Sequence, residues 1–347
     1  MTLGDFSLLD EKPRRPFDAY FRTWLETYVK AHCKERTRVL YLRAFEQHLL
    51  PRFGQKDIGT ITREEVKQLA YDLLAQQRSR GTVKGVLAPL REMFNHAIED
   101  GHATINPALR ILKRSRTEEG EPQRKASFLT KEELGLLLRT CQEYFPDYYP
   151  FVSLLARTGL RLGEAIALQW DDIDFHGRFI EVKHTWGYGR LTVPKSGKGR
   201  RVDMSTQLTE TLRALLLERK KETLRNGRGE VPPWVFMSEW GNPRDAATFR
   251  SRVWSKILKR AGLHHIRIHD LRHTFASLLI QNGESLAYVK EQLGHHSIQI
   301  TVDTYGYLVP GGNRQAVDKL DGLENANIRN LDATNTLNTV SRRGRSA

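Results

Sequence analysis

The chain has 347 residues, enough for two ordinary domains and a tail. Lysine and arginine outnumber aspartate and glutamate by 55 to 41, which favours a polyanionic partner, although solvated lysines alone can produce such an excess. No apolar stretch approaches the roughly 18 residues of a membrane helix, and the first residues lack the layout of a secretion signal. The only cysteines, Cys33 and Cys141, form no CxxC motif and indicate a reducing compartment. We therefore expect a soluble intracellular protein.

The first folded part is residues 16–112, which show helical periodicity almost throughout. The segment PFDAYFRTWLETYV presents aromatic side chains on one broad face, and a second apolar period covers residues 37–49. Thr62 followed by Glu65 is the pattern of a capping box, and a further helix starts at Thr82. These signals predict a bundle of four or five helices.

Basic side chains of this bundle fall outside the predicted apolar faces, close to two helix starts. They are candidates for contact with phosphate groups, although solvated charge is an equally good interpretation for any one of them. The candidates are Lys34, Arg36, Arg38, Arg80 and Lys84.

Composition also sets the domain boundaries. Residues 113–127 are charged, contain Gly and Pro and lack an apolar period, which is typical of a linker. A second capping-box pattern follows directly, so a second domain is predicted over residues 128–311. Residues 1–15 are too short for a domain. The polar tail, residues 312–347, is expected to be disordered on its own.

The second domain combines helices with a few strands. The segments RFIEVKHTW, RLTVPK and GRRVDM within residues 178–204 have strand patterns, and a tight turn is predicted at residues 196–199. An amphipathic helix is predicted over residues 206–225. The fold class is therefore mainly α with a small antiparallel β-sheet.

Residues 266–307 contain a dense set of polar residues among helix boundaries. Ile266-Arg267-Ile268 alternates as a short strand or an extended entry would, and Asp270 is placed to cap the following helix. A second helix closes at Gly294, and a third runs from near Ser297 towards Tyr305. Four residues consequently lie at or near helix ends, where they can converge on one point: His269, Arg272, His295 and Tyr305.

The spacing of His269 and Arg272 puts both side chains about one turn apart on a helix face. An imidazole beside a guanidinium suits work on a phosphate, because one moves a proton and the other holds a charged oxygen. In an isolated HxxR, two surface residues are the commoner explanation. A zinc site of His265, His269 and His273 is disfavoured, since Asp270 leaves His265 outside the helix and no cysteine lies nearby.

The combination of motifs resembles a known family. HDLRHTFAS, followed by LGHHSIQITVDTYGYL, is similar to the signature of the tyrosine recombinases, the phage-integrase family, which carry an HxxR box, then LGH, then a nucleophilic tyrosine. TGLRLGEAIALQWDDID resembles the first arginine box of that family, with Arg161 and, three residues on, Glu164. TVPKSGKGRRV matches the hairpin that holds the catalytic lysine, with Lys195 favoured over Lys198.

The resemblance implies the catalytic residues Arg161, Lys195, His269, Arg272, His295 and Tyr305. His296 is an alternative to His295, which we prefer for its spacing to Tyr305. Glu164 is expected to orient the cationic groups, with a surface carboxylate as the alternative. Arg200 and Arg201, at the start of the returning strand, are expected to touch DNA phosphates.

The roles of these residues follow from the chemistry of a phosphodiester. The two arginines and His295 would stabilise charge on the non-bridging oxygens. Tyr305 would attack phosphorus, His269 would accept or relay its proton, and Lys195 would protonate the departing 5′ oxygen. The expected product is a 3′-phosphotyrosyl link, and neither a metal nor another cofactor is required.

The function implied is a site-specific recombinase of a phage or other mobile element, acting on DNA in the bacterial cytoplasm. Double-stranded DNA attachment sites are the expected partner, with a homo-tetramer on DNA; an accessory DNA-bending or directionality factor is a further candidate partner. Residues 16–112 would form the core-binding domain. The alternatives are a type IB topoisomerase, against which the helical first domain and LGHHS argue, and a non-catalytic DNA-binding protein of the same fold.

Overall fold

The structure, a computed structural model, describes residues 14–112, 128–187, 189–193, 199–227, 229–238 and 240–309, together with residue 318. The chain divides into two compact units, Met1–Pro122 and Gln123–Ala347. The predicted linker at residues 113–127 lies outside the described residues, as does the predicted tail apart from Asp318. No helix in the described ranges is long and apolar enough to cross a membrane.

The first unit is helical. Its helices are α1 (Phe17–Trp24, continuing through the π-helical Leu25–Val29 into Lys30–His32), α2 (Glu35–Ala44, continuing through the π-helical Phe45–Leu49 into Leu50–Phe53), α3 (Arg63–Ala75) and α4 (Arg80–Glu99). Aromatic side chains fill the core between them, and the rings of Phe21 and Phe45 stack with centroids 4.0 Å apart. Such burial of aromatic surface is the main source of stability for a bundle of this size.

Two helix starts in this unit show how local sequence sets the boundaries. The capping box of α3 is present, because the Thr62 hydroxyl accepts from the Glu65 N–H at 3.3 Å and the Glu65 carboxylate accepts from the Thr62 N–H at 2.8 Å. Helix α4 begins earlier than the Thr82 start that we predicted. Ser79 is its cap, and the Ser79 hydroxyl accepts from the Thr82 N–H at 3.1 Å.

The second unit is mainly helical with short strands. Its helices are α5 (Lys131–Tyr144), α6 (Tyr149–Thr158), α7 (Leu162–Ile166), α8 (Thr206–Arg225), α9 (Ala246–Thr248, continuing through the π-helical Phe249–Trp254 into Ser255–Arg260), α10 (Asp270–Gln281), α11 (Leu286–Leu293) and α12 (Ile298–Tyr305). Its strands are β1 (Ile173–Asp174), β2 (Phe179–Val182), β3 (Thr185–Gly187), β4 (Arg190–Thr192) and β5 (Arg200–Asp203).

The strands form two small antiparallel sheets. A three-stranded sheet has the order β1-β2-β5, and β3 pairs with β4 in a separate two-stranded ribbon. The predicted strand RFIEVKHTW is therefore two strands, β2 and β3, that belong to different sheets. Val182 pairs with Arg200, so β5 returns to β2 rather than to its neighbour β4.

The packing of α6, α10 and α11 determines the geometry of the polar site. Gly159 ends α6 with φ of 61°, and a Cβ at this position would lie 2.6 Å from Cδ1 of Phe275 in α10 and 3.0 Å from Cδ2 of Leu293 in α11. Only glycine fits this close approach. The ends of α6 and α11 are thereby brought to the first turns of α10.

The prediction that Asp270 caps α10 is wrong, because the residue at the N-cap position is His269. Of the two forms predicted for residues 266–268, a short strand or an extended entry, the strand is not formed. Asp270 is the first helical residue, and its carboxylate accepts from the backbone N–H of Arg267 at 2.7 Å and from the Arg267 side chain at 2.8 Å. The carboxylate thus stabilises the turn before the helix and not the helix itself.

Candidate active site

Arg272 lies at the centre of the site and is 3% exposed. Its Nη1 donates to the carbonyl oxygen of Gly159 at 2.8 Å, and its Nη2 donates to that of Leu293 at 2.5 Å. The guanidinium is therefore fixed between the ends of α6 and α11. These bonds use two of the five N–H groups of an arginine, so others remain for a ligand.

Glu164 connects two further arginines to this centre. Arg161 precedes α7 and donates from its backbone N–H and its Nη1 to the Glu164 carboxylate, at 2.9 and 2.8 Å. Arg200, on β5, donates from Nη1 and Nη2 to the same carboxylate, at 3.1 and 2.8 Å. The Glu164 side chain is 2% exposed, and Arg161, at 43%, keeps much of its side chain in solvent. Glu164 lies between the two cations as expected.

Charge decides the ionisation state of Glu164. Burial alone would raise its pKa, but the hydrogen bonds and charge of Arg200, together with the charge of Arg161, lower the pKa to about 2. The carboxylate is consequently ionised at neutral pH and is the counter-ion for the surrounding cations.

Strand β5 is fastened to α11 by a small polar network. The Arg200 Nε donates to the carbonyl oxygen of Gln292 at 3.0 Å, and the Asp203 N–H donates to the Gln292 side chain at 2.9 Å. Tyr288 donates to the Asp203 carboxylate at 2.7 Å. This network holds the strand that follows residues 194–198 against the helix that ends at LGH.

His295 follows the left-handed Gly294 that closes α11, where φ is 65°. Its Nδ1 lies 2.9 Å from the hydroxyl of Thr301, a buried residue of α12. Burial and the charges of Arg272 and Arg161 lower the pKa of His295 to about 4, so the imidazole is neutral at pH 7. His296 is exposed, which agrees with the choice of His295.

Tyr305 ends α12 and is 1% exposed. Its hydroxyl lies 2.7 Å from Nδ1 of His273. From the sequence, His273 was a candidate only as a metal ligand. Burial raises the pKa of Tyr305 to about 12 against the opposing charge of Arg272. The phenol is therefore fully protonated at neutral pH.

His269 was expected to take the proton of Tyr305, but among the described residues the hydroxyl is bonded to His273. The His269 ring lies edge-on to that of His273, with centroids 5.2 Å apart. The residue is exposed at one side, yet partial burial of the ring and the neighbouring His273 and Arg272 lower its pKa to about 4. A neutral imidazole here can donate a hydrogen bond to an anion.

Four predicted residues are thus brought together from separate elements. The charge of Arg161 contributes to the lowered pKa of both His295 and Arg272, and the charge of Arg272 partly offsets the rise that burial causes in the pKa of Tyr305. Burial and these like charges lower the pKa of Arg272 to about 9, so it stays charged at neutral pH. Cations held together without matching carboxylates form a binding site for an anion.

The three predicted residues of the hairpin region, Lys195, Arg200 and Arg201, differ in what the structure shows of them. Lys195 and its alternative Lys198 lie outside the described residues. Arg200 was expected to touch DNA, but its side chain is only 12% exposed and donates hydrogen bonds to Glu164 and Gln292. Arg201 is 68% exposed, and its guanidinium lies 4.4 Å from the ring centroid of Phe179. The role of each as a DNA contact stays a prediction.

The basic residues of the first unit differ in their availability. Lys34, Arg36 and Lys84 are exposed, whereas Arg80 is half-buried at the start of α4. Arg38 donates from Nε and Nη2 to backbone carbonyl oxygens of the preceding helix end, at 2.9 Å each, and so closes that helix. Its contact with DNA also stays a prediction.

The zinc site of His265, His269 and His273, which the sequence disfavoured, is not formed. In the described part of the chain, no group of three or more His, Cys, Asp or Glu residues is arranged to hold an ion. His265 is exposed and lies before α10.

Comparison with known proteins relates this geometry to a family. Residues 127–308 match the profile of the phage integrase family, and residues 17–74 match the N-terminal SAM-like domain of phage integrases. The ICEBs1 integrase of Bacillus subtilis is 29% identical over 327 residues, which cover 90% of this chain and 86% of the relative. A XerC-like tyrosine recombinase of Caldanaerobacter subterraneus is 28% identical over 322 residues, covering 87% and 81%.

Solved structures share the fold. The Tn1549 transposon integrase in complex with a circular intermediate DNA superposes with a TM-score of 0.71 at 20% identity, covering 88% of this chain and 98% of that one. A lambda integrase tetramer bound to a Holliday junction superposes with a TM-score of 0.65 at 17% identity, covering 87% and 80%. The helical first unit and the mixed second unit are the fold expected from the sequence. The chain belongs to the phage integrase family and is a tyrosine site-specific DNA recombinase.

Proposed function

We propose that this protein cleaves and rejoins double-stranded DNA at specific attachment sites through a covalent 3′-phosphotyrosyl link on Tyr305, integrating or excising a mobile element. The observation that carries the proposal is the convergence of Arg161, Arg272 and His295 beside Tyr305 in the second unit. A scissile phosphodiester brings one negative charge into a cluster that has an excess of positive charge.

The phosphate is held by the cationic side of the site. Arg272, whose direction is fixed by two carbonyl oxygens, and Arg161, which is half exposed, bind the non-bridging oxygens. Neutral His295 and His269 donate hydrogen bonds to the same oxygens. Because the charge on these oxygens grows as phosphorus becomes five-coordinate, rigid donors stabilise the transition state more than the ground state.

Cleavage exchanges one phosphate ester for another. The hydroxyl oxygen of Tyr305 loses its proton to a neighbouring imidazole and forms a bond to phosphorus. The bond to the 5′ oxygen breaks, and that oxygen takes a proton from Lys195, a role carried by resemblance. The phosphotyrosyl ester conserves the bond energy, so the 5′ hydroxyl of another strand can attack it and restore the DNA, and both protons then return to their donors.

The partner and the assembly follow from the family. The Tn1549 integrase and lambda integrase are described as bound to DNA, the latter as a tetramer on a Holliday junction. For this chain we propose a homo-tetramer on paired attachment sites in the bacterial cytoplasm, with an accessory DNA-bending or directionality factor. Exposed Lys34, Arg36, Lys84 and Arg201 are the proposed backbone contacts.

The test is covalent capture. Full-length protein is incubated in EDTA with a pool of nicked duplexes of randomised sequence, in which a cleaved short strand diffuses away and leaves the adduct trapped. Protein joined to DNA is then recovered from a denaturing gel and mapped by mass spectrometry. We expect an adduct at Tyr305 with wild type and none with Tyr305→Phe.

Other outcomes separate the alternatives. An adduct of equal yield with Tyr305→Phe would refute the assignment of the nucleophile. Tight binding of a recovered sequence without any adduct would favour a non-catalytic DNA-binding protein. Joint molecules from two recovered duplexes indicate recombination, whereas relaxation of supercoiled DNA without joint molecules indicates a topoisomerase.

A further inference from the structure

The nucleophile has a partner that the proposed catalytic set leaves out. Nδ1 of His273 lies 2.7 Å from the hydroxyl oxygen of Tyr305, and the two ring centroids are 5.7 Å apart. Tyr305 is buried and His273 is half-buried. When the imidazole proton is on Nε2, Nδ1 is an acceptor, and the hydroxyl donates to it. This is the arrangement of a nucleophile with its base.

We propose that His273 accepts the proton of Tyr305 during strand cleavage. The inference rests on the proposed function, because it takes Tyr305 as the nucleophile. The O–H bond breaks as the bond from oxygen to phosphorus forms, and the proton moves to Nδ1. On rejoining, the tyrosine oxygen leaves phosphorus and takes the same proton back. Protons gained and lost by His273 therefore balance over a full cycle.

A base is needed because of the state of the phenol. With the pKa of Tyr305 at about 12, the fraction of phenolate at pH 7 is on the order of 10⁻⁵. His273 is free to act, since burial lowers its pKa below the usual 6.5 and keeps the ring neutral at pH 7. A positioned base of this kind typically accelerates proton transfer about 10²- to 10⁴-fold.

The surroundings of His273 determine how stable its protonated form is. Asp270, one turn earlier on α10, favours the imidazolium, and Arg267 and Arg272 oppose it. A phosphate bound in the site would add negative charge, which favours the imidazolium as Asp270 does. The titratable and charged groups that face the ring are Asp270, Arg267, Arg272, His269, His295 and Tyr305.

His269 is the alternative base, and the geometry argues against it. His269 and His273 are four positions apart, which is about one helical turn, but only the Nδ1 of His273 is within hydrogen-bond distance of the Tyr305 hydroxyl among the described residues. His269 precedes α10 and is exposed, so it is accessible to a phosphate. The structure therefore assigns the proton of Tyr305 to His273 and leaves His269 to bind the phosphate.

The test uses full-length variants on the duplex recovered by covalent capture. His273→Asn is the informative change, since the asparagine amide occupies the place of Nδ1 and accepts a hydrogen bond but no proton. We expect single-turnover cleavage at pH 7 to fall about 10²-fold or more, with DNA affinity unchanged. His265→Asn, an exposed histidine before the same helix, is the control and should cleave at the wild-type rate.

The pH profile separates a base from a structural support. Wild-type cleavage should be level from pH 7 to 8, which is below the pKa of Arg272, and should fall below pH 6.5 as His273 becomes protonated. Without the base, the His273→Asn rate should follow the phenolate fraction and rise about tenfold per pH unit over the same range. A His273→Asn enzyme with the wild-type rate, or with a level profile above pH 7, would overturn the proposal.

A sulfur leaving group provides an independent reading. A 5′-bridging phosphorothiolate needs no proton as it departs, so it should restore cleavage to Lys195→Ala but not to His273→Asn. Restoration of both variants would place His273 on the leaving-group side and refute our assignment. If the wild-type protein formed no adduct with any DNA, the proposed function itself would be refuted. This outcome differs from a refutation of His273 as the base, in which the wild-type protein still forms the adduct. Should His273→Asn not fold, the acid limb of the wild-type profile is still measurable, and its absence would also count against His273.

Discussion

Substitution of Glu164 by glutamine should destabilise the second unit strongly. The Glu164 carboxylate accepts four hydrogen bonds from two arginines and is 2% exposed. In Glu164→Gln the shape of the side chain is kept and its charge is lost. Arg200, with only 12% of its side chain exposed, is then left as a buried cation without its counter-ion, beside Arg272.

The size of the effect follows from the pKa. The fall from 4.5 to about 2 means that the folded state prefers the ionised carboxylate by about 3 kcal/mol at neutral pH, at about 1.4 kcal/mol per pKa unit. Because the folded-state pKa is the lower one, this stabilisation is present above pH 4.5. It is lost as the pH falls from 4.5 towards 2. The difference between wild type and Glu164→Gln should therefore shrink over that interval.

Urea unfolding followed by tryptophan fluorescence measures this difference. Five of the six tryptophans are in the second unit, so the signal reports mainly on it. Glu181→Gln is the matched control, because Glu181 also pairs with two cations, Lys183 and Arg201, but has 38% of its side chain exposed. We expect a much smaller change for it, since solvent screens surface pairs. Equal losses for the two variants, or a Glu164→Gln deficit that is the same at pH 3 and pH 7, would refute the reasoning.

Three further substitutions test other parts of the site. Gly294→Ala should lower the free energy of unfolding by about 1–3 kcal/mol and slow cleavage, because φ is 65° and a Cβ would lie 2.6 Å from the nearest side-chain atom. Gly227→Ala is the control, since Gly227 has the same φ but no atom lies within 4 Å of its Cβ position. Urea unfolding should show a smaller loss of stability for the control. Arg272→Lys should lower covalent capture at least about 10²-fold, because an ammonium group cannot bond two carbonyl oxygens and a phosphate in the same plane; capture within a few-fold of wild type would contradict this. Thr301→Val keeps the side-chain shape but removes the partner of the LGH histidine, and single-turnover cleavage should fall about tenfold at unchanged DNA affinity.

Features of the fold that depend on neighbouring residues could be predicted well from the sequence. The capping boxes at Thr62 and Thr130 are present because donor and acceptor are three residues apart and need no tertiary contact. Gly159 and Gly294 end their helices with positive φ, as glycine after an apolar period indicates. Local chemistry determines these boundaries, so local sequence reveals them.

Predictions that depended on which residue a side chain or strand contacts in the folded protein were less successful. Asp270 has the residue type of a cap, but Arg267 offers its carboxylate two stronger donors in the preceding turn. The segment RFIEVKHTW has the alternation of one strand, yet its two halves find different partners across the chain. Residue type gives the capacity to bond, and only the packing of the chain decides with whom.

The contact between His273 and Tyr305 belongs to the same class. The two residues are 32 positions apart, and the side-chain direction at the end of α12 depends on how that helix packs on α10 and α11. A signal was present, since His273 directly follows the arginine of the HxxR box. From the sequence, His273 was a candidate only as one of three possible zinc ligands, because spacing along one helix cannot relate a histidine to a tyrosine on another helix.

The charges of the site explain why a nucleophile with so high a pKa can be used. Three arginines surround one ionised carboxylate, so the free protein retains an excess of positive charge close to Tyr305. Ionisation of the phenol before DNA binds would reduce this excess of positive charge. Burial disfavours the phenolate by more than the charge of Arg272 favours it, so the pKa of Tyr305 is raised. A bound phosphate supplies the missing negative charge and at the same time makes phenolate formation still less favourable. A neutral base that removes the proton only as the bond to phosphorus forms avoids this conflict, and His273 is the residue in contact with the hydroxyl that meets the requirement.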